Sequence, residues 1–174
     1  MLSQGKPILI ATVSHVVNFF QIDAKTGKLA PTLEFQADFS EENPSLNQVA
    51  LNFDSNLLAT GGDDKTVRVF SISADFKSSE KKHEVKVAED AIQSVDISRD
   101  NRFLAAGSKD GTAYVMDLAN QCAVLQKLNF RPHPNQKNMF MRSMLFARDN
   151  SLYTLAIYHH MPTYLIRWQC TQSE

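Results

Sequence analysis

Cysteine is scarce: Cys122 and Cys170 are the only two in 174 residues, far apart and without Cys-x-x-Cys spacing. That argues against a disulfide-built secreted scaffold and for two idle thiols in a reducing compartment. A surplus of either charge is lacking too, with 18 Lys+Arg against 19 Asp+Glu and a formal net charge of −1. A nucleic-acid partner needs clustered positive charge to neutralise phosphates, so that class is set aside. The one basic-looking stretch, Lys77 to Lys86, also holds Glu80 and Glu84 and reads as a solvated loop. No run reaches ~18 consecutive apolar residues, so nothing here is expected to span or directly contact a membrane. Met1 to Pro7 lacks the apolar core and cleavage site of a signal peptide, and the apolar run Ile8–Val13 is of strand length. The expectation is a soluble, cytosolic chain of one domain.

Catalytic signatures are missing as well. Gly61-Gly62-Asp63-Asp64-Lys65-Thr66 superficially looks like a phosphate-binding loop. Its lysine does not follow the second glycine, Asp63 and Asp64 would repel phosphate, and a strand pattern follows; it reads as a turn. His159-His160, with His133 or Cys170 nearby in sequence, lacks metal-ligand spacing, and adjacent residues on a strand point to opposite faces. The pair reads as an exposed loop insertion, a candidate partner-facing loop. Ser14-His15 comes without a Gly-x-Ser-x-Gly elbow, so no hydrolase triad is built on it. No catalytic, cofactor-binding or metal-binding residue is assigned.

What the chain does have is a repeat. Val49 to Phe70 aligns without a gap on Val95 to Met116, an offset of 95 − 49 = 46 residues. Weaker copies flank the pair, at Ile8–Asp23 and at Ser143–Ile157 closed by Tyr164–Trp168. Four units follow, at about 5–36, 46–88, 91–128 and 139–170. Asp54-Ser55-Asn56 and Arg99-Asp100-Asn101 carry turn residues that bond their own backbone. Gly61 to Asp64 and Gly107 to Gly111 read as second turns, with glycine available for positive φ. Leu57–Thr60 is a nearly continuous apolar run, the pattern of a strand buried on both faces. Thr66–Phe70 alternates, which predicts cover on one side only. No helical period is sustained, so the chain is expected to be all-β.

The second half of each central unit, Leu58 to Phe70 and its aligned copy, resembles a WD repeat. Phe70, Met116 and Trp168 stand in that repeat's tryptophan place, and Asp117 in its aspartate place. Asp64 and Asp110 match the turn aspartate that locks such blades. The resemblance implies WD-type β-propeller blades, about four of them, forming a partial propeller over residues 1–174. Aromatic and methionine positions Phe19, Phe20, Phe70, Met116, Phe146 and Trp168 are then blade packing; Met139-Phe140-Met141 packs under a blade or faces a partner.

More narrowly, Phe35-Gln36-Ala37-Asp38-Phe39-Ser40, followed by Val49 to Gly62, resembles one WD-repeat family. It is the endoplasmic-reticulum guanine-nucleotide exchange factor for the small GTPase that starts COPII coat assembly, in animals also called prolactin regulatory element-binding protein. Asn129-Phe130-Arg131-Pro132, the strand at Arg142 and Tyr164-Leu165-Ile166-Arg167-Trp168 extend the likeness over roughly Leu33–Gln169. It implies a protein-binding role in vesicle budding, the COPII GTPase as partner and the cytosolic face of the endoplasmic reticulum as location. That family also has seven blades, a potassium-binding glycine-rich loop and a C-terminal membrane anchor, none of which is completed here; only Gly5 precedes Gly27. The alternative is a generic WD-repeat scaffold. A DNA role suggested by the animal name conflicts with the charge. Four blades at a seven-blade pitch leave two open apolar ends, so self-association is expected; a compact four-bladed ring is the alternative.

Overall fold

The computed structural model describes residues 2–3, 6–37, 45–130, 140–157 and 163–169. They form four antiparallel sheets, with no helix among the described residues. Sheet 1 holds β1 (Leu2–Ser3), β2 (Lys6–Val13), β3 (Val16–Ile22) and β4 (Leu29–Gln36). Sheet 2 holds β5 (Leu46–Leu51), β6 (Leu57–Gly62), β7 (Thr66–Ile72) and β8 (Ser79–Lys86). Sheet 3 holds β9 (Ile92–Ile97), β10 (Phe103–Ser108), β11 (Thr112–Asp117) and β12 (Ala123–Asn129), and sheet 4 holds β13 (Phe140–Phe146), β14 (Leu152–Ile157) and β15 (Tyr164–Trp168). Each sheet is a meander whose order follows the chain. The all-β, partial-propeller reading of the sequence is what the fold shows.

The sheets stack flank to flank, and three apolar cores fill the gaps. Phe19, Leu58 and Phe70 join sheets 1 and 2, with Phe35 and Phe70 rings 5.0 Å apart. Val69, Ile92, Val95 and Met116 join sheets 2 and 3, and Val115, Met141, Met144 and Leu152 join sheets 3 and 4. Each fully buried side chain of this size stabilises by about 1.5–3 kcal/mol over exposure. The leading strands β5, β9 and β13 meet across the sheets and form the inner wall. There the ties are side chain to backbone: Val95 N donates to Gln48, Met144 N to Ser94, and Phe146 N to Asp96.

Close approach explains two glycines. A Cβ on Gly61 would lie 2.3 Å from Ile92 Cγ2, and one on Gly107 would lie 2.8 Å from the Met141 carbonyl oxygen. Neither residue has positive φ; in the turn after β6 that conformation falls on Lys65 (φ 68), while Gly111 takes it after β10 (φ 88). The glycines of the first of these turns were expected to supply positive φ. They instead end β6, where Gly61 leaves room for β9 and Gly62 for the Ser45 backbone. Leu155 occupies the matching register in sheet 4, opposite Ser143 and Leu165 as Gly107 is opposite Ser94 and Ala113.

Two further expectations are corrected. Residues 79–86 of the supposed solvated loop are β8, which pairs with β7 from Thr66↔Lys86 to Ile72↔Ser79. Its charges suit an outer edge strand, where Lys and Glu discourage pairing with another chain. Thr66–Phe70 is buried throughout, not covered on one side. The outlier in its pattern, Arg68, is buried because Asp64 and Glu84 both contact its guanidinium.

The tryptophan-place residues share one register: Phe70↔Leu58, Met116↔Leu104 and Trp168↔Leu152. Phe20 pairs with Leu9 in sheet 1. Phe19 is fully buried against sheet 2, so strand alternation turns the half-buried Phe20 to the opposite, uncovered face. Met141 is wholly buried in the core between sheets 3 and 4, whereas Met139 lies outside the described residues.

Candidate interaction surface

Antiparallel alternation puts the turns after each sheet's third position at one end and the turns between β6 and β7, or β10 and β11, at the other. At that second end sit Asp64 and Asp110. Asp110 accepts hydrogen bonds from Thr112 N (2.8 Å), Glu89 N (2.9 Å) and Tyr114 OH (2.8 Å). Burial pushes its carboxyl up, but these donors outweigh burial and hold it below the ordinary aspartate value. Burial, followed by Asp110, pushes the Tyr114 hydroxyl up to about 12. Asp64 accepts from Thr66 N and lies 2.6 Å from Arg68. Both aspartates therefore bind their own hairpin, and Asp110 also fastens the connection from β8 to β9.

The opposite end carries the turns that follow β5, β9 and β13. Ser55, Asn101 and Asn150 occupy the same turn place, each at φ 60. Asn101 Nδ2 donates to Asp54 at 2.6 Å, and Asn150 Nδ2 donates to Asp100 at 2.7 Å. The turns of sheets 3 and 4 are thus each tied to the one in the sheet before. The tip residues Phe53, Arg99 and Arg148 immediately precede the three turn aspartates.

Between these tips and the inner wall lie two adjoining open clefts. One, of about 340 Å³, is lined mainly by Ile8, Ile10, Val49, Leu51, Val95 and Met144. The other, of about 210 Å³, is lined by Leu51, Phe53, Asp96, Ile97, Arg99, Leu145 and Arg148 among others. Phe53 and Leu145 are 65% and 62% exposed, large apolar groups left in water beside a cleft. The Arg99 guanidinium stacks 4.0 Å from the Phe53 ring centre. Burial raises the Asp96 pKa, against the opposing hydrogen bond from Phe146 N.

Among the described residues, the remaining sequence candidates do not assemble into chemistry. Ser14 Oγ lies 3.2 Å from His15 Nδ1 on the tip between β2 and β3, with no carboxylate bonded to that ring among the described residues. Cys122 is a buried free thiol, raised to about 11 by burial and then by Asp117, so it is not a ready nucleophile. His133, His159, His160 and Cys170 lie outside the described residues. Among the described residues no group of three His, Cys, Asp or Glu could hold a metal ion, and no helix is long and apolar enough to cross a membrane.

Sequence reasoning missed Phe53, Arg99 and Arg148. A signal was present: each of the three residues, Phe/Arg/Arg, stands immediately before the one invariant column of the turn, Asp54, Asp100 and Asp149.

Meandering sheets packed flank to flank around inner strands define β-propeller blades. The family model for the WD domain, G-beta repeat, matches residues 33–71 and 79–117. WD40 repeats are therefore present in this chain. Each matched stretch starts on the outer strand of one sheet, β4 or β8, and ends on β7 or β11 of the next. One sequence repeat thus straddles two blades, which ties neighbours covalently. No curated protein matches the chain.

Proposed function

We propose that this chain is a docking platform for other proteins, with no covalent chemistry of its own. The observation that carries the reading is the cleft at the blade tips. Phe53 and Leu145 are held in water by a framework whose turns are laced together through Asn101–Asp54 and Asn150–Asp100. Rigid presentation lowers the ordering cost of binding. WD40 repeats support a protein-interaction scaffold.

A finer form of the reading is the central part of the exchange factor for the COPII GTPase, at the cytosolic face of the endoplasmic reticulum. Its support is the likeness over Leu33–Gln169, with the Gln36-Ala37-Asp38-Phe39 segment and the order of the units foremost. An exchange factor acts by preferring the nucleotide-free GTPase, a difference in affinity and not a reaction. The generic scaffold is at least as well supported, because the matched repeats specify blades and no partner. A nucleotide-release assay with that GTPase decides: acceleration by the purified chain favours the exchange factor, and an unchanged rate leaves the generic scaffold. The docking reading itself fails if photo-crosslinkers placed at Phe53 and Leu145 capture no protein in cell extract.

A further inference from the structure

We infer that the smaller cleft binds an extended peptide segment in which an acidic side chain neighbours a large apolar one. The inference rests on the docking reading and names the chemistry of the partner. Arg99 and Arg148 flank the cleft, and among the described residues neither is paired with a carboxylate. The carboxylates of their own turns point elsewhere: Asp100 accepts from Asn150 and Asp149 from Arg167. Neither lines the cleft. The one acid that does, Asp96, already accepts the Phe146 amide at 2.6 Å. Arg99 and Arg148 therefore line a cleft shared with the apolar Leu51, Ile97 and Phe146, and have no ion-pair partner among the described residues.

That combination fits a carboxylate between the arginines, where planar donors pair well with it, and an apolar side chain against Leu145 and the Phe53 ring. Nucleic acid is the less favoured anion. The chain has a net charge of −1, and two arginines offer too little clustered positive charge for a run of phosphates.

The test is fluorescence polarisation with the whole chain and a short labelled peptide of alternating glutamate and leucine. Matched probes are a lysine–leucine peptide, labelled single-stranded DNA and inorganic phosphate as competitor. The glutamate–leucine peptide should bind, and the R99Q/R148Q double variant should weaken binding at least about tenfold, the size of one lost charge-assisted bond. Lys82→Gln, on the outer strand β8, should leave it unchanged. Equal binding of the lysine peptide, displacement by phosphate, preference for DNA, or no binding of the acidic peptide would each overturn the inference. A natural protein captured at Phe53 that binds the double variant as well as the unaltered chain would also overturn it, while leaving the docking reading intact.

Discussion

Arg68 and Tyr114 occupy the same place in consecutive blades, 114 − 68 = 46 residues apart, and each holds the turn aspartate four residues before it. One pair is ionic and the other a charge-assisted hydrogen bond from a neutral hydroxyl. Two unrelated side chains supply a donor at this strand position in these blades, whereas the same register in sheet 4 holds Ile166. Glu84 appears only where the donor is Arg68, adding a second acid to a guanidinium that is 3% exposed.

The two locks should respond differently to truncation. Asp64→Ala removes one of the acids that contact the buried Arg68 guanidinium, and breaking a buried pair costs roughly 3–5 kcal/mol. Asp110→Ala strands a hydroxyl and two amides, which is expected to cost about 1–3 kcal/mol. Urea midpoints for the two variants check the order; equal losses would mean that burial of the charge does not matter here.

Glycine substitutions should separate by what the new methyl meets. At Gly62 it would sit 2.3 Å from the backbone oxygen of Ser45, which moves only if the strand connection moves. Gly62→Ala is therefore expected to lose about 3 kcal/mol, at the upper end of overpacking costs. At Gly27 nothing lies within 4 Å and only the left-handed φ of 68 opposes the change, about 1–2 kcal/mol. Thermal unfolding of the two variants reads the difference.

The turn-to-turn ties can be measured by a double-mutant cycle. Asn150→Gly keeps the positive φ of 60 accessible while removing the amide that reaches Asp100. Combined with Asp100→Ala, the cycle should return a coupling of about 0.5–1.5 kcal/mol. Additive effects would show that neighbouring turns are independent.

Asp96 gives a pH dependence of defined sign. Its pKa is raised in the fold, so the folded state binds the proton more tightly than the unfolded chain does. Its contribution to stability is full below the ordinary value of 3.8 and is lost as pH rises through the folded value. Asp96→Asn keeps an oxygen for the Phe146 amide and removes the buried charge. The variant should unfold at a higher temperature than the unaltered chain at neutral pH, with the gap closing in acid. A constant gap would sink the argument.

Open ends predict self-association. Val13 is 67% exposed on β2 and Leu165 is 71% exposed on β15, at opposite ends of the stack. Size-exclusion chromatography over a range of concentrations should show mass above the monomer, reduced by V13E and L165E together. A monomer at every concentration would remove the prediction.

The sequence by itself determined the blade plan. The 46-residue register of Val49–Phe70 on Val95–Met116, the turn aspartates and the absence of a helical period are local features, and local hydrogen bonding sets hairpins. Three things were decided only by the tertiary structure. Thr66–Phe70 looked half-covered because Arg68 broke the apolar pattern; its burial depends on Asp64 and on Glu84 from a strand that looked like a loop. Gly61 reads as a turn residue until Ile92, from the next blade, arrives against it. Phe53, Arg99 and Arg148 lie 46 and 49 residues apart in sequence, and only stacking the sheets brings them to one cleft. The physical reason is the same each time. A hairpin is fixed by neighbours along the chain, whereas burial and binding depend on whichever blade packs alongside.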